Sequence, residues 1–370
     1  SLDLNELSKN LKDDKLRDRV SLYVPEGNTL VLFGPSGAGK TVLLRLISGV
    51  IEPDEGHIKI SGMDVDGVEP EDRNIGMAFQ NFALFPHMDA HANIASPLTA
   101  QKKDKSAIQA GVQGLAKLLK IDHVLGHKPK ELSNGQKQRT ALARALAGKP
   151  KILLLDDPLR NVDAKLRFEM RLELPNLLYE QNATVIYVTQ DYKEAMAFGD
   201  QIAVINGGVI QQIGTPEAIY LTPANVEIAR LFGDPVINLL DVTLQKDASG
   251  VFALISEKRI DLDASYASVV GLECCLGIRP ESVLFVDRDH KSAVPVTVEA
   301  ETPLNEKTVN LCLTARGREI MASRPSGTQG PAGGEAFVAI EAASAMIFDK
   351  QTGALIETNS TDISERGKVT

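Results

Sequence analysis

The sequence has no apolar run approaching the ~18 residues that a membrane-crossing helix requires. It also lacks a charged-then-apolar leader at its first residues. Any membrane role is therefore expected to be peripheral. Basic residues are not in excess: 40 Lys and Arg stand against 49 Asp and Glu, a formal charge of −9. That balance argues against a general nucleic-acid footprint and leaves room only for a local basic patch. Cysteine is sparse. Cys274, Cys275 and Cys312 are odd in number and form no C-x-x-C pair, which reads as free thiols in a reducing compartment rather than a disulfide or metal framework. No internal repeat is visible.

What is present suits a globular chain with two domains and a substantial core: 370 residues, 43% hydrophobic and 24% charged. The first ~235 residues alternate strand-like and helix-like segments. "TLVLF" (29–33) ends in a Gly-rich turn, and "KTVLLRLISG" (40–49) follows with apolar residues at helical spacing. "KILLLDD" (151–157) and "ATVIYVT" (183–189) are continuous apolar runs, the pattern of parallel strands covered on both faces. The expected fold class is α/β, with residues 1–235 as one domain.

The texture then changes. "QIAVINGGVIQQIG" (201–214) reads as two strands around an Asn-Gly-Gly turn. From about residue 236 short β-like runs follow one another: "DVTL" (241–244), "CCLGI" (274–278), "AVPVTVEA" (293–300), "TVNLCL" (308–313) and "AFVAI" (336–340). Residues 236–370 are expected to form a small all-β, barrel-like domain, with a flexible loop at "RPSGTQGPAGG" (324–334) and a frayed polar end.

"GPSGAGKT" (34–41) satisfies G-x-x-x-x-G-K-[ST] between a predicted strand and a predicted helix. Gly34, Pro35, Ser36, Gly37, Ala38 and Gly39 let backbone N–H groups turn inward toward phosphate oxygens, beside a helix N-terminus. Lys40 is expected to reach the β- and γ-phosphates of a nucleotide, and Thr41 to offer its hydroxyl to Mg²⁺. Asp156 closes the apolar run Ile152–Leu155, a position suited to holding Mg²⁺ directly or through water.

"LSNGQKQRTALARAL" (132–146) begins with Ser133, a good N-cap, and carries an apolar stripe at Ala141, Leu142, Ala145 and Leu146. Read plainly it is a capped helix. Ser133, Gly135 and Gln136 at its start also suit a second anion site. The stretch resembles the LSGGQ signature of ABC transporter ATPases. The order of phosphate loop, Gln80, signature, Asp156 and residue 190 matches that family through the first ~235 residues. "FQNFALFPHMDAHANI" (79–94), "GIRPESV" (277–283) and the β-rich C-terminal part resemble ATPase subunits of bacterial carbohydrate importers.

The resemblance implies a P-loop nucleotide-binding domain followed by an OB-like, TOBE-type regulatory or dimerisation domain. It implies ATP and Mg²⁺ as cofactors and a head-to-tail pair of ATPase subunits. It also implies two transmembrane permease subunits and a periplasmic or lipid-anchored substrate-binding protein, with no nucleic-acid partner. The chain would sit peripherally on the cytoplasmic face of the inner membrane. Gln80 would touch Mg²⁺ or the attacking water. Phe82, Leu84 and Phe85 would form a groove for a short permease helix, although plain core packing is the competing reading.

Four positions depart from that family. Asp157 stands where the family has the Glu that polarises water, and is shorter by one methylene, roughly 1.5 Å. A misplacement of ~1 Å can cost about 100-fold in rate. Gln190 stands where the family has a switch His, and it can donate a hydrogen bond without carrying charge. Leu11 falls where an aromatic residue stacks on adenine. Asn134 replaces a Gly and is a mild change, because Asn tolerates unusual backbone angles. Asp157 and Gln190 lie on the phosphate-loop side, while Ser133, Gly135, Gln136 and Asp163 are kept. This pattern favours a chain with a weakened site of its own that completes a competent site on a different ATPase subunit. A slow homodimer, a nucleotide-binding regulatory subunit and a soluble ABC protein without permease are the alternatives.

Overall fold

The computed structural model describes residues 1–10, 15–328, 330–331 and 333–357. It divides into two compact units, Ser1–Pro216 and Glu217–Thr370. Among the described residues of the first unit, six strands form the central sheet. Their order is Val209–Gly214, Gln201–Asn206, Thr29–Phe33, Thr184–Thr189, Ile152–Asp156 and Ile75–Ala78. All neighbours are parallel except the hairpin of the first two. Thr29–Phe33, Ile152–Asp156 and Thr184–Thr189 are buried along their whole length, as their uninterrupted apolar runs require.

A second sheet in this unit is antiparallel: Lys15–Val24, Leu2–Asn10, Glu55–Ile60 and Met63–Asp64. Leu2, Leu4 and Leu7 join Leu30, Leu32 and the phosphate-loop helix residues Leu43 and Leu46 in one core. The pairing register shifts between Leu4 and Leu7, where Glu6 has φ 50°. That irregularity breaks the period-2 alternation that would announce a strand.

Helices Ala90–Ala100, Lys105–Leu118, Asn134–Ala147, Ala164–Gln181 and Tyr192–Phe198 each begin at a residue whose side-chain oxygen accepts a backbone N–H. These are Asp89, Asp104, Ser133, Asp163 and Asp191, each satisfying one of the orphan donors of a helix start. Among the described residues no helix is long and apolar enough to cross a membrane.

The second unit carries three antiparallel sheets among its described residues. The largest has the order Val283–Phe285, Gly334–Ile340, Val294–Pro303, Lys307–Thr314 and Glu319–Pro325. Residues of all three sheets share one core, so the expected all-β part is present. The second compact unit takes in most of the helix Pro216–Leu221 and the helix Val226–Leu231, which are tied to the β-rich part. Arg279, buried in the segment "GIRPESV", donates to the carbonyls of Ala229 (2.9 Å), Tyr220 (2.8 Å) and Phe232 and lies 4.0 Å over the Tyr220 ring. Ala229 also packs with Ile237, Met346 and Phe348. The polar end from residue 358 onward lies outside the described residues.

Gly34 joins the Thr29–Phe33 strand to the phosphate loop, and a Cβ there would lie 2.1 Å from the Ile205 carbonyl oxygen. Gly34→Ala is expected to destabilise the first unit by about 1–3 kcal/mol, the usual cost of overpacking. Urea titration followed by a probe in that unit checks this. An unchanged midpoint would mean that the Gln201–Asn206 strand yields freely.

Candidate functional site

The parallel register brings three strand ends together. Phe33 pairs with Thr189, and Asp156 pairs with Val188. The chain leaving each of these ends therefore meets the others at one edge of the sheet, where ligands of open α/β sheets bind. Ser36, Gly37, Gly39, Lys40 and Thr41 from the first connection line a cavity of about 70 Å³ there. Asp156 and Asp157 from the second, Gln190 from the third, and Gln80 after the Ile75–Ala78 strand line the same cavity. Gly34, Pro35 and Ala38 of the same loop are not among its lining residues.

The loop closes by backbone curvature. Gly37 and Gly39 have φ 77° and 98°, left-handed values that glycine adopts without a Cβ penalty. Gly39 caps the helix Lys40–Ile47. Lys40 is buried, and its ammonium donates to the carbonyls of Gly34 at 2.7 Å and Pro35 at 2.6 Å. The Thr41 hydroxyl donates to Asp156 Oδ2 at 3.2 Å. Thr41, Asp156 and Gln80 thus offer a hydroxyl, a carboxylate and an amide oxygen to one cavity. This all-oxygen set fits a small hard cation such as Mg²⁺.

The two adjacent carboxylates are held differently. Asp156 is only 4% exposed, and burial raises its pKa above the usual carboxylate value, opposed by the Thr41 hydrogen bond and the Lys40 charge. Burial also raises that of Asp157, where Arg160 opposes the shift and Asp156 adds to it. The Arg160 guanidinium lies 3.7 Å from Asp157 Oδ2 and was not foreseen from sequence. Asp157 has φ 51°, a conformation that a side chain other than glycine adopts only under restraint. The restraint comes from both sides of the residue. Its N–H donates to the Val188 carbonyl at 3.0 Å, and its carbonyl accepts from Gln138 Nε2 at 2.7 Å.

Gln190 is exposed at the cavity rim. The residues beneath it are fixed by Glu194, which is 2% exposed. One Glu194 oxygen accepts from the hydroxyls of Tyr187 at 2.9 Å and Thr189 at 2.8 Å, and the Thr189 oxygen accepts the Asp191 N–H at 3.0 Å. Burial raises the Glu194 pKa as well. Sequence reading passed over Glu194. Asp191 at an N-cap with Glu three residues on is the spacing that could have marked it.

Ser133, Gly135 and Gln136 do not line this cavity. Ser133 is the exposed N-cap of its helix. Its hydroxyl accepts the Gln136 N–H at 3.3 Å, and its own N–H donates to Gln136 Oε1 at 2.9 Å, a reciprocal capping box. Ala141, Leu142, Ala145 and Leu146 are buried as the helical stripe implied. Leu11, expected at adenine, lies outside the described residues.

After Gln80 the chain forms a fixed surface loop. Phe82 and Ala83 have φ 67° and 45°. Asn93, fully buried, accepts the Phe85 N–H at 2.8 Å and donates to the carbonyls of Phe85, Met88 and Asp89. Arg144 donates to the Ala83 carbonyl at 2.8 Å and lies 5.2 Å from the centre of the Phe85 ring. Phe82 and Leu84 are half-buried, whereas Phe85 is 42% exposed.

Residues 17–160 match a family model described as ABC transporter. The chain is 40% identical over 354 residues to the trehalose/maltose import ATP-binding protein MalK of Thermococcus litoralis, spanning 91% of this chain and 94% of that protein. It is 37% identical over 335 residues to the sn-glycerol-3-phosphate import ATP-binding protein UgpC of Escherichia coli, spanning 90% and 93%. Among solved structures it is similar to the dimeric structure of MJ0796, a bacterial ABC transporter cassette. That likeness has TM-score 0.55 and 29% identity over 58% of this chain and 99% of that one.

The burial of Asp156 has a stability consequence. In the folded chain its pKa lies above the unfolded value, so the folded state binds more protons between the two, and stability falls as pH rises through that window. Asp156→Asn removes the cost of burying the charge. It is expected to raise the unfolding midpoint at pH 7 in the absence of Mg²⁺, with the gain fading toward pH 4. Denaturant titrations at the two pH values check this. A variant less stable than the parent at pH 7 would contradict it.

Proposed function

The chain belongs to the ABC transporter family of ATP-binding proteins, and on that premise we propose that it is the energy-coupling ATPase subunit of an importer. The substrate class is a sugar or glycerol phosphate, as the names of the relatives suggest, with polyol or glycerol added by the sequence resemblance alone. The observation that carries this reading is a phosphate loop and paired carboxylates on one cavity, together with Gln80 leading directly from that cavity into a surface loop tipped by Phe85.

In this reading the loop N–H groups and the helix start receive the β- and γ-phosphates of ATP. Lys40 exchanges the carbonyls of Gly34 and Pro35 for phosphate oxygens, a charge-assisted contact that replaces two neutral ones. Thr41 and Asp156, with Gln80, hold Mg²⁺, which neutralises phosphate charge when bound. Asp157 takes the position of the base that orients water, and Gln190 offers a neutral donor toward the γ-phosphate. Leu11 supports adenine by apolar contact alone. Residues 1–235 then do the nucleotide work, and 236–370 form an OB-like regulatory or dimerisation domain.

Ser133, Gly135 and Gln136 serve a nucleotide bound by a second ATPase subunit. Their absence from the lining of this chain's own cavity supports that division. With Asp157 and Gln190 weakening the local chemistry, the expected partner is a different ATPase chain. The presence of both residues on the cavity also favours a second reading, a slow homodimer in which Asp157 is an adequate base. Two permease subunits would receive the Phe85 loop, a substrate-binding protein would deliver cargo outside, and this chain would lie on the cytoplasmic face of the inner membrane.

ATPase rates of this chain alone and in its transporter test the proposal. A weakened base costs roughly 10²–10⁴ in rate, so the chain alone should turn over very slowly and the assembly far faster. Brisk hydrolysis by the chain alone, abolished by Asp157→Asn, would leave the homodimer. Phe85→Asp should leave the fold intact and abolish copurification with membrane subunits, and retained assembly would remove the docking role of the loop.

A further inference from the structure

Gln138 is 4% exposed and lies on the helix Asn134–Ala147, one turn beyond the exposed Ser133. It does not line the nucleotide cavity. Both halves of its amide are used outside its own helix. Nε2 donates to the Asp157 carbonyl at 2.7 Å, and Oε1 accepts the Asn161 N–H at 2.8 Å. One side chain therefore closes the segment 157–161 at both ends. The same helix touches this segment again at its first turn, where a Cβ on Gly135 would lie 3.0 Å from the Asn161 carbonyl oxygen.

Simple packing of a helix on a loop needs only volume. This contact needs a donor and an acceptor side by side, which a primary amide supplies in fixed geometry without a change of protonation. The peptide group after Asp157 is planar and stiff, and the residue is held in its left-handed conformation partly by this bond. A shift of the helix start therefore reaches the Asp157 carbonyl through one side chain, and the carboxylate through the restrained backbone of that residue.

We infer that Gln138 is a positioning residue that couples the Ser133 end of its helix to the Asp157 carboxylate, so that nucleotide engaged by one site resets the other. The inference rests on the shared-site reading proposed above. Ser133 would answer to the partner's nucleotide, and Asp157 to this chain's own. Coupling free energies between sites are commonly worth about 5–150-fold.

The test uses the ATPase-active assembly isolated with this chain, carrying Gln138→Met or Gln138→Glu. Gln138→Met keeps volume and loses both bonds. It should lower kcat on the order of tenfold and bring the Hill coefficient for ATP toward that of independent sites, while Mg-ATP affinity of the chain alone stays at the parent value. Gln138→Glu can donate to Asp157 and accept from Asn161 only when protonated. Its activity relative to the parent should therefore recover as pH falls, and this variant carries the test should the apolar one fail to fold. A parent-like kcat and Hill coefficient in Gln138→Met would overturn the coupling. So would a pH-independent Glu-to-parent ratio, or nucleotide affinity that drops in step with kcat. Brisk hydrolysis by this chain alone would remove only the unequal-pair reading, because each variant is scored against the parent in whichever assembly hydrolyses ATP.

Discussion

The pairing of Phe33 with Thr189 and of Asp156 with Val188 fixes the geometry on which everything else at the site depends. Parallel strands in register end together, so the phosphate loop, the carboxylate pair and Gln190 leave the sheet at one level. A one-residue slip would turn every side chain of a strand to its other face. Uninterrupted apolar runs buried on both faces do not by pattern forbid such a slip, so the register rests on side-chain packing and on strand-end contacts such as the Asp157 N–H to the Val188 carbonyl. Gly34 belongs to the same constraint. The loop can begin where it does only because no Cβ stands between it and the Ile205 carbonyl.

Within this frame the charges are arranged against one another rather than toward solvent. Burial opposes ionisation of Asp156, Asp157 and Glu194 alike, but their partners differ. Asp156 has the Thr41 hydroxyl and the Lys40 charge, Asp157 has Arg160 at 3.7 Å, and Glu194 has only neutral hydroxyls. Asp156 and Asp157 thus face a cavity where further positive charge is welcome, while Glu194 sits behind it as an anchor for the strand end that carries Gln190. An anion and a hard cation entering together would satisfy the loop N–H groups and the carboxylates at once.

Much of this was legible in the sequence where period and burial agree. The phosphate loop and Asp156 were found from motif and strand pattern, Asp157, Gln80 and Gln190 from the family resemblance, and the cavity gathers them. The antiparallel sheet at the start of the chain was not, because the register shift between Leu4 and Leu7 hides its alternation. Helix Ala164–Gln181 was also missed. It contains Pro175, and it leaves Phe168, Leu172 and Tyr179 exposed, so its apolar residues do not gather on one face. Gln138 was illegible for a different reason: it acts through two tertiary hydrogen bonds from within an ordinary helical stretch, "NGQKQR", and no local period marks such contacts, while Glu194 in "YKEAMAF" had only its spacing from the Asp191 N-cap to mark it.

The departures at 157 and 190 are best weighed against what surrounds them. Asp157 keeps its restrained backbone, its bonds to Val188 and Gln138, and its place on the cavity. Gln190 keeps the Thr189–Glu194 anchor beneath it. The support stands at both positions, and under the proposed function it suits a site that binds and signals across the assembly more than one built for rapid chemistry. In the proposed reading the Gln138 amide gives such a signal a material route: it grips the segment at its first and last residues, and it belongs to the helix whose exposed start does not line this chain's own cavity.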